Sequence, residues 1–340
     1  MVTAMTTKLI MVVDVAAETG GAMTILKQYY AAALAESGQR YIFLLGKTEF
    51  ASNGNIEVVK HPWVKKSWLH RLAFDLVVAP AIARRRKPDE IISLQNITIR
   101  CRKAIQRVYV RQPLPFQDTK YSIITHPRYW VYQRVISRLI YRSIRAADEV
   151  IVQTRWMKEA CVRRTAVQPE KITISPPLLE REGVTPYRRP DTQGTNFFYP
   201  ASAEPYKNHW QILQAVAILT ASGIRNYKVT LTIDPRQSSH AQKLANFCTQ
   251  LKLPVVFTGY LSPGQVDALY SQSILIFTSL IETFGLPLLE ARMRACPIIA
   301  CDMPFSREIL DGYDQIHFIT PGSAQELAQA MSQSLKQGES

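Results

Sequence analysis

Short apolar runs alternate with longer stretches of helix-forming residues along nearly the whole chain. Runs at residues 8–13, 41–45, 90–94, 107–111, 149–153 and 172–174 are rich in Ile, Val, Leu and aromatic side chains. Their length and branching predict strands of a sheet covered on both faces. Helix formers fill residues 22–37 and 128–145 between them. A charged stretch at 180–195, punctuated by Pro186, Pro190 and Gly194, interrupts the pattern. The alternation then resumes, with strands predicted at 196–199, 229–233, 255–257, 274–277 and 298–300 and helices at 209–221 and 288–295. Strand, loop, helix and strand in this order predict parallel sheets of the α/β class. The charged, proline-bearing stretch predicts a linker between two domains, residues 1–180 and 190–340.

With 340 residues, of which 47% are hydrophobic, the chain has material for two cores. Forty-one Lys and Arg against 27 Asp and Glu give a formal net charge of +14, which calls for polyanionic company: nucleic acid, anionic lipid or phosphorylated ligands. Charge alone does not choose among these. The five cysteines form no Cys-x-x-Cys pair and have no matching histidine spacing, so neither a zinc site nor a disulfide framework is predicted. No apolar run approaches the ~18 residues of a membrane span, and no charged and apolar leader opens the chain. The expectation is a cytoplasmic protein, at most peripheral on an inner membrane. Residues 61–87 are basic and aromatic, with Trp63, Lys65, Lys66, Trp68 and the run Arg84-Arg85-Arg86-Lys87. They read either as an interfacial helix on anionic lipid or as an ordinary core-packing helix with solvated ends.

Candidate chemistry gathers at three strand-to-helix loops. In the stretch Ser279-Leu280-Ile281-Glu282-Thr283-Phe284-Gly285-Leu286-Pro287-Leu288-Leu289-Glu290, an apolar strand runs into a glycine turn and then a helix. Pro287 suits a first helical turn, and Gly285 lets the backbone approach a ligand. The positive end of the helix dipole then favours an anion, with Glu282 and Glu290 on either side of the turn. The loop 200–208, from Pro200 to Asn208, contains Ser202 and Lys207 at a strand-to-helix switch, where parallel sheets bind ligands. Gly20 and Gly21 follow the first strand, either as a plain tight turn or beside phosphate; the Gly-x-Gly-x-x-Gly fingerprint is absent.

Glu282 and Glu290 around Phe284-Gly285-Leu286-Pro287 resemble the Glu-x7-Glu motif of retaining glycosyltransferase family 4, which has the GT-B fold. The resemblance is dense over residues 197–310 and rests on a few short motifs before residue 175. It implies two Rossmann-like domains whose parallel sheets face each other across a cleft. Glu282 would lie beside the transferred sugar, Glu290 would hold the ribose, and Thr283, Phe284, Gly285 and Leu286 would face the diphosphate. Lys207 matches the clamp lysine of the family, while Ser202 stands where an arginine belongs. Arg111 stands where related sequences carry a histidine before Gln112-Pro113, and could supply the missing cation; His126 is the nearest alternative histidine. Gly259 and Tyr260 fall where the family's loop meets the base, and Gly20 and Gly21 match its first glycine loop.

The implied reaction moves a sugar from a GDP- or UDP-sugar to a saccharide or lipid-linked saccharide, as in O-antigen synthesis, with retention. No cofactor beyond the nucleotide-sugar substrate is expected, and no metal, because no Asp-x-Asp pair occurs. The other readings are an epimerase or hydrolase of nucleotide sugars on the same fold, and a nucleic-acid-binding protein. The paired glutamates around a phosphate turn argue against both, so no nucleic-acid partner is expected.

Overall fold

The computed structural model describes residues 7–18, 20–179, 184–189 and 194–336. The chain divides into two compact units, Met1–Leu178 and Leu179–Ser340. Part of the expected linker, residues 180–183 and 190–193, lies outside the described residues.

The first unit is built on a seven-stranded parallel sheet of β1 (Leu9–Asp14), β2 (Arg40–Leu45), β3 (Ile56–Lys60), β4 (Glu90–Ser93), β5 (Ile105–Tyr109), β6 (Glu149–Val152) and β7 (Ile172–Ile174), in the order β3-β2-β1-β4-β5-β6-β7. Helix α1 (Gly20–Ala35) covers one face, where Ile25 and Leu26 pack with Val12, Phe43 and Ile92. The other face carries two helical rods and α6 (Arg155–Thr165). In the first rod α2 (Trp68–Ala73) and α3 (Ala79–Arg86) join through a π turn at Phe74–Val78; in the second, α4 (Pro127–Val131) and α5 (Ser137–Ala146) join through another at Tyr132–Ile136.

The second unit has a six-stranded parallel sheet of β8 (Thr195–Tyr199), β9 (Tyr227–Leu231), β10 (Val255–Phe257), β11 (Ser273–Phe277), β12 (Ile298–Cys301) and β13 (Ile316–Ile319), in the order β10-β9-β8-β11-β12-β13. Its helices are α7 (His209–Ala221), α8 (Ser239–Gln250), α9 (Pro263–Tyr270), α10 (Leu286–Met293), α11 (Pro304–Ile309) and α12 (Ala324–Lys336). In both sheets the winding reverses beside the first strand, between β1 and β4 and between β8 and β11. Ligand crevices of open α/β sheets form at such reversals, beyond the carboxyl ends of the strands.

Several expectations shift. The first helix begins at Gly20, with φ at +62°, so the glycine pair is its opening turn and not a loop before it. The helical rod runs on through Pro80. A proline removes the bond to the carbonyl four residues back, and the wider π turn before Pro80 absorbs that defect. The strand expected at 107–111 ends at Tyr109, leaving Arg111 beyond its carboxyl end. Of the two readings of residues 61–87, Trp63 follows the core-packing one and packs edge-on against Phe74 and His61. Lys65 turns back to donate to the Ala16 carbonyl at 2.9 Å and pairs with Glu18 at 3.3 Å. No described helix is long and apolar enough to cross a membrane.

Candidate functional site

The loops that leave β8 and β11 meet at the reversal of the second sheet. The buried Tyr199 hydroxyl, at the end of β8, donates to the Lys207 carbonyl at 3.0 Å. Thr278, just past β11, donates to the carbonyls of Lys207 and Asn208 at 3.0 and 3.2 Å. The Leu280 amide donates to the Tyr206 carbonyl at 2.8 Å. These bonds fasten one loop to the other and bring the Lys207 ammonium onto the Glu282 carboxylate. Each side chain of this pair is 16% exposed, so both charges sit largely out of water while facing each other. The ammonium also lies 5.5 Å from the centroid of the Tyr206 ring, within cation–π range.

Gly285 follows with φ at +96°, in the left-handed region that favours glycine. A Cβ there would come within 3.3 Å of Leu288 Cδ1. Phe284 is buried, and Thr283 and Leu286 are partly buried. Pro287 lies in the opening turn of α10, whose positive end points at the loop. Glu290 lies one turn along that helix. Tyr270 donates its hydroxyl to Glu290 Oε2 at 2.7 Å. Burial pushes the Glu290 carboxyl up from its ordinary range, against the opposing pull of Tyr270 and Arg294. Arg294 is itself held by Asp267, with Nε to Oδ1 at 2.8 Å.

His209 was not anticipated. It opens α7 directly behind Lys207, is fully buried, and stacks on Tyr199 at 5.0 Å between ring centroids. Burial and the nearby Lys207 charge drive its pKa down to about 3, so the ring is neutral at physiological pH. Nothing in the sequence distinguishes it from any histidine at a helix start; only the depth of the β8 end reveals its setting.

The remaining candidates are spread over other loops. Ser202 is exposed in the β8–α7 loop. Gly259, with φ at +70°, and Tyr260, 83% exposed, follow β10, two strands from β8; the Gly259 amide donates to the Ile233 carbonyl at 3.1 Å. Arg111 lies in the first unit. Its two terminal nitrogens donate to Asp14 at 2.8 and 2.7 Å, Asp14 is fully buried, and a longer bond of 3.4 Å reaches the Ala22 carbonyl. That guanidinium is therefore held at the reversal of the first sheet, beside Gly20 and Gly21. His126 packs between Tyr121 and Tyr129 at the start of α4.

Residues 188–340 match the family model of the glycosyl transferases group 1. This segment is similar to the group 1 glycosyltransferases. Outside the family model, the serotype-specific mannosyltransferase WbdA of Escherichia coli is 28% identical over 138 residues, which are 40% of this chain and 17% of WbdA. The O-antigen chain mannosyltransferase RfbU of Salmonella typhimurium is 25% identical over 188 residues, 52% of this chain and 49% of RfbU. The chain thus spans half the length, or less, of these relatives. A structure of HepE from Anabaena with UDP and glucose superposes with a TM-score of 0.69 at 16% identity, covering 97% of this chain and 91% of that one. The GT-B fold accordingly covers both units.

Proposed function

We propose that the chain is a retaining glycosyltransferase that takes a sugar from a nucleoside diphosphate sugar, GDP- or UDP-linked, and passes it to a saccharide or lipid-linked saccharide in surface-polysaccharide synthesis such as that of O-antigen. The observation that carries this reading is the Lys207–Glu282 pair in the fastened loops after β8 and β11, directly before the left-handed Gly285 and the positive end of α10. The mannosyltransferase relatives favour surface polysaccharide, and the UDP held by HepE favours a nucleotide-linked donor.

Breaking the bond between anomeric carbon and diphosphate builds negative charge on the leaving group, and fixed positive groups there lower the barrier. An ammonium has three donors, so one can stay on Glu282 while others face the departing phosphate. Glu282 would then orient the sugar hydroxyls. Tyr270 holds one oxygen of Glu290, which leaves the other to accept from a ribose hydroxyl. The chemistry so described uses no resident metal.

The test is a thermal-shift panel of GDP-, UDP- and dTDP-sugars on the wild type, followed by the anomeric configuration of the product by NMR. A bound donor at ~100 times its dissociation constant should add ~2.7 kcal/mol of stability, and Glu290→Ala should lose most of that gain. Absence of a shift with every nucleotide sugar would sink the donor reading, and an inverted product would sink retention.

A further inference from the structure

Two helices of the second unit are braced to each other at the carboxyl end of α10. Arg294 directly follows that helix, and its side chain, only 12% exposed, divides its donors between two partners. Nη1 donates to the Glu290 carbonyl at 2.7 Å, while Nε, at 2.8 Å, and Nη2 both donate to Oδ1 of Asp267 on α9. The guanidinium also lies 5.2 Å from the centroid of the Tyr270 ring, three residues after Asp267 on the same face of α9. Phe198 meets that ring edge-on at 5.4 Å, and the Tyr270 carbonyl accepts from the Cys296 thiol at 2.7 Å. The buried ring, held by Arg294 and Phe198, aims its hydroxyl at Glu290 Oε2. Arg294 therefore fixes Glu290 twice, through its main chain and through Tyr270.

An arginine commonly closes on a carboxylate as a fork that takes both oxygens. Here both nitrogens share Oδ1, and Oδ2 of Asp267 accepts instead from the Thr185 hydroxyl at 3.3 Å. Thr185 lies in the segment 184–189, part of the stretch expected as a linker. Two more bonds tie this segment to the same place. The Tyr187 amide donates to the Arg294 carbonyl at 2.7 Å, and the Arg188 amide donates to the carbonyl of Ser271, next to Tyr270, at 2.8 Å. A pair that served only to join two helices would close on itself. This carboxylate is shared between the residue that braces Glu290 and the chain segment that enters the unit.

We propose that Asp267 is a positioning residue for the donor: through Arg294 and Tyr270 it aims the Glu290 carboxylate at the ribose, and through Thr185 it ties the linker to that aim, so that a bound nucleotide tightens residues 185–188. The proposal rests on the reading of Glu290 as the carboxylate that holds the ribose. Groups joined by consecutive hydrogen bonds lose freedom together, so a ribose that restrains Glu290 also restrains Tyr270, Arg294 and the amide of Tyr187.

It is tested with the full chain and with GDP, UDP and dTDP, taking forward in calorimetry the nucleotide that binds the wild type. Asp267→Ala should bind it about tenfold more weakly, because a hydrogen bond to a charged group is then misaligned. In a Glu290→Ala background the same change should have no further effect, whereas a general loss of packing would weaken both backgrounds alike. Asp267→Asn keeps the shape of the side chain and removes the charge that fixes Arg294; it should show the same pattern to a smaller degree, and it carries the test where the alanine variant melts early. On saturation with nucleotide, amide exchange at Tyr187 and Arg188 should slow in the wild type and not in the Asp267 variants. Wild-type affinity in both Asp267 variants, equal weakening in both backgrounds, or linker exchange that ignores the nucleotide overturns the proposal and leaves the donor site standing. A wild type that binds none of the three nucleotides overturns the donor reading and the proposal with it.

Discussion

Lys207 and Glu282 are 75 positions apart and become partners because Tyr199, Thr278 and Leu280 fasten their loops. Lys207→Ala should therefore reduce turnover more than donor affinity, since charge on the leaving group grows in the transition state. It should also cost roughly 2 kcal/mol of stability, between an exposed pair and a fully buried one. Equal kcat for variant and wild type would remove Lys207 from the chemistry. Arg111→Ala should cost more, about 3 to 5 kcal/mol, because the fully buried Asp14 would lose its ion-pair partner. Urea unfolding measures this, and the double change Asp14→Asn with Arg111→Gln should recover much of the loss. His209 gives a pH signature. Its folded pKa of about 3 lies below the ordinary 6.5, so the unfolded chain takes up the proton first as pH falls. Its share of stability is intact above about pH 6.5 and declines toward pH 3, by about 2 kcal/mol at pH 5. His209→Phe should flatten that decline, and an unaltered slope between pH 7 and 5 would show that the ring is not held neutral. Of these residues, Lys207, Glu282 and Arg111 are marked by their place in motifs. The Asp14 pairing and the burial of His209 are not, because both depend on strand ends remote in sequence.

At the level of elements, the glycine turn into α10 and the tether on the β1–α1 loop are the parts most exposed to single changes. Gly285→Ala would place a Cβ 3.3 Å from Leu288 Cδ1 in a backbone region that side chains rarely adopt. A loss of about 1 to 3 kcal/mol is expected, together with the donor-induced thermal shift; retention of that shift would detach the turn from donor binding. Lys65 holds the β1–α1 loop through the Ala16 carbonyl and Glu18. Lys65→Met should speed amide exchange over residues 15–22 while exchange in the β8–α7 loop stays as in the wild type. Undisturbed exchange at 15–22 would mean that Asp14, whose carboxylate accepts from the Ala16 and Ala17 amides, and Thr48, which donates to the Ala17 carbonyl, hold the loop without Lys65. Helix α7 and strand β10 fall where the hydrophobic pattern puts them. The stretch around Pro80 does not, because proline alone predicts a break and only the preceding π turn shows how the helix passes it.

At the scale of the whole molecule each unit has its own sheet, so a nucleotide-sugar donor should protect the amides after β8 and β11 in hydrogen exchange more than those of the first sheet. Equal protection throughout would oppose a donor site centred on the second unit. The parallel α/β class, two cores and the turn around Glu282 and Glu290 follow from the chain alone, since strand length, helix-forming runs and glycine or proline position are local properties. Sheet order, the Lys207–Glu282 and Asp14–Arg111 pairs and the neutral His209 were decided only by tertiary structure. Each joins residues tens of positions apart through strand register, and register is set by packing, which no local pattern encodes.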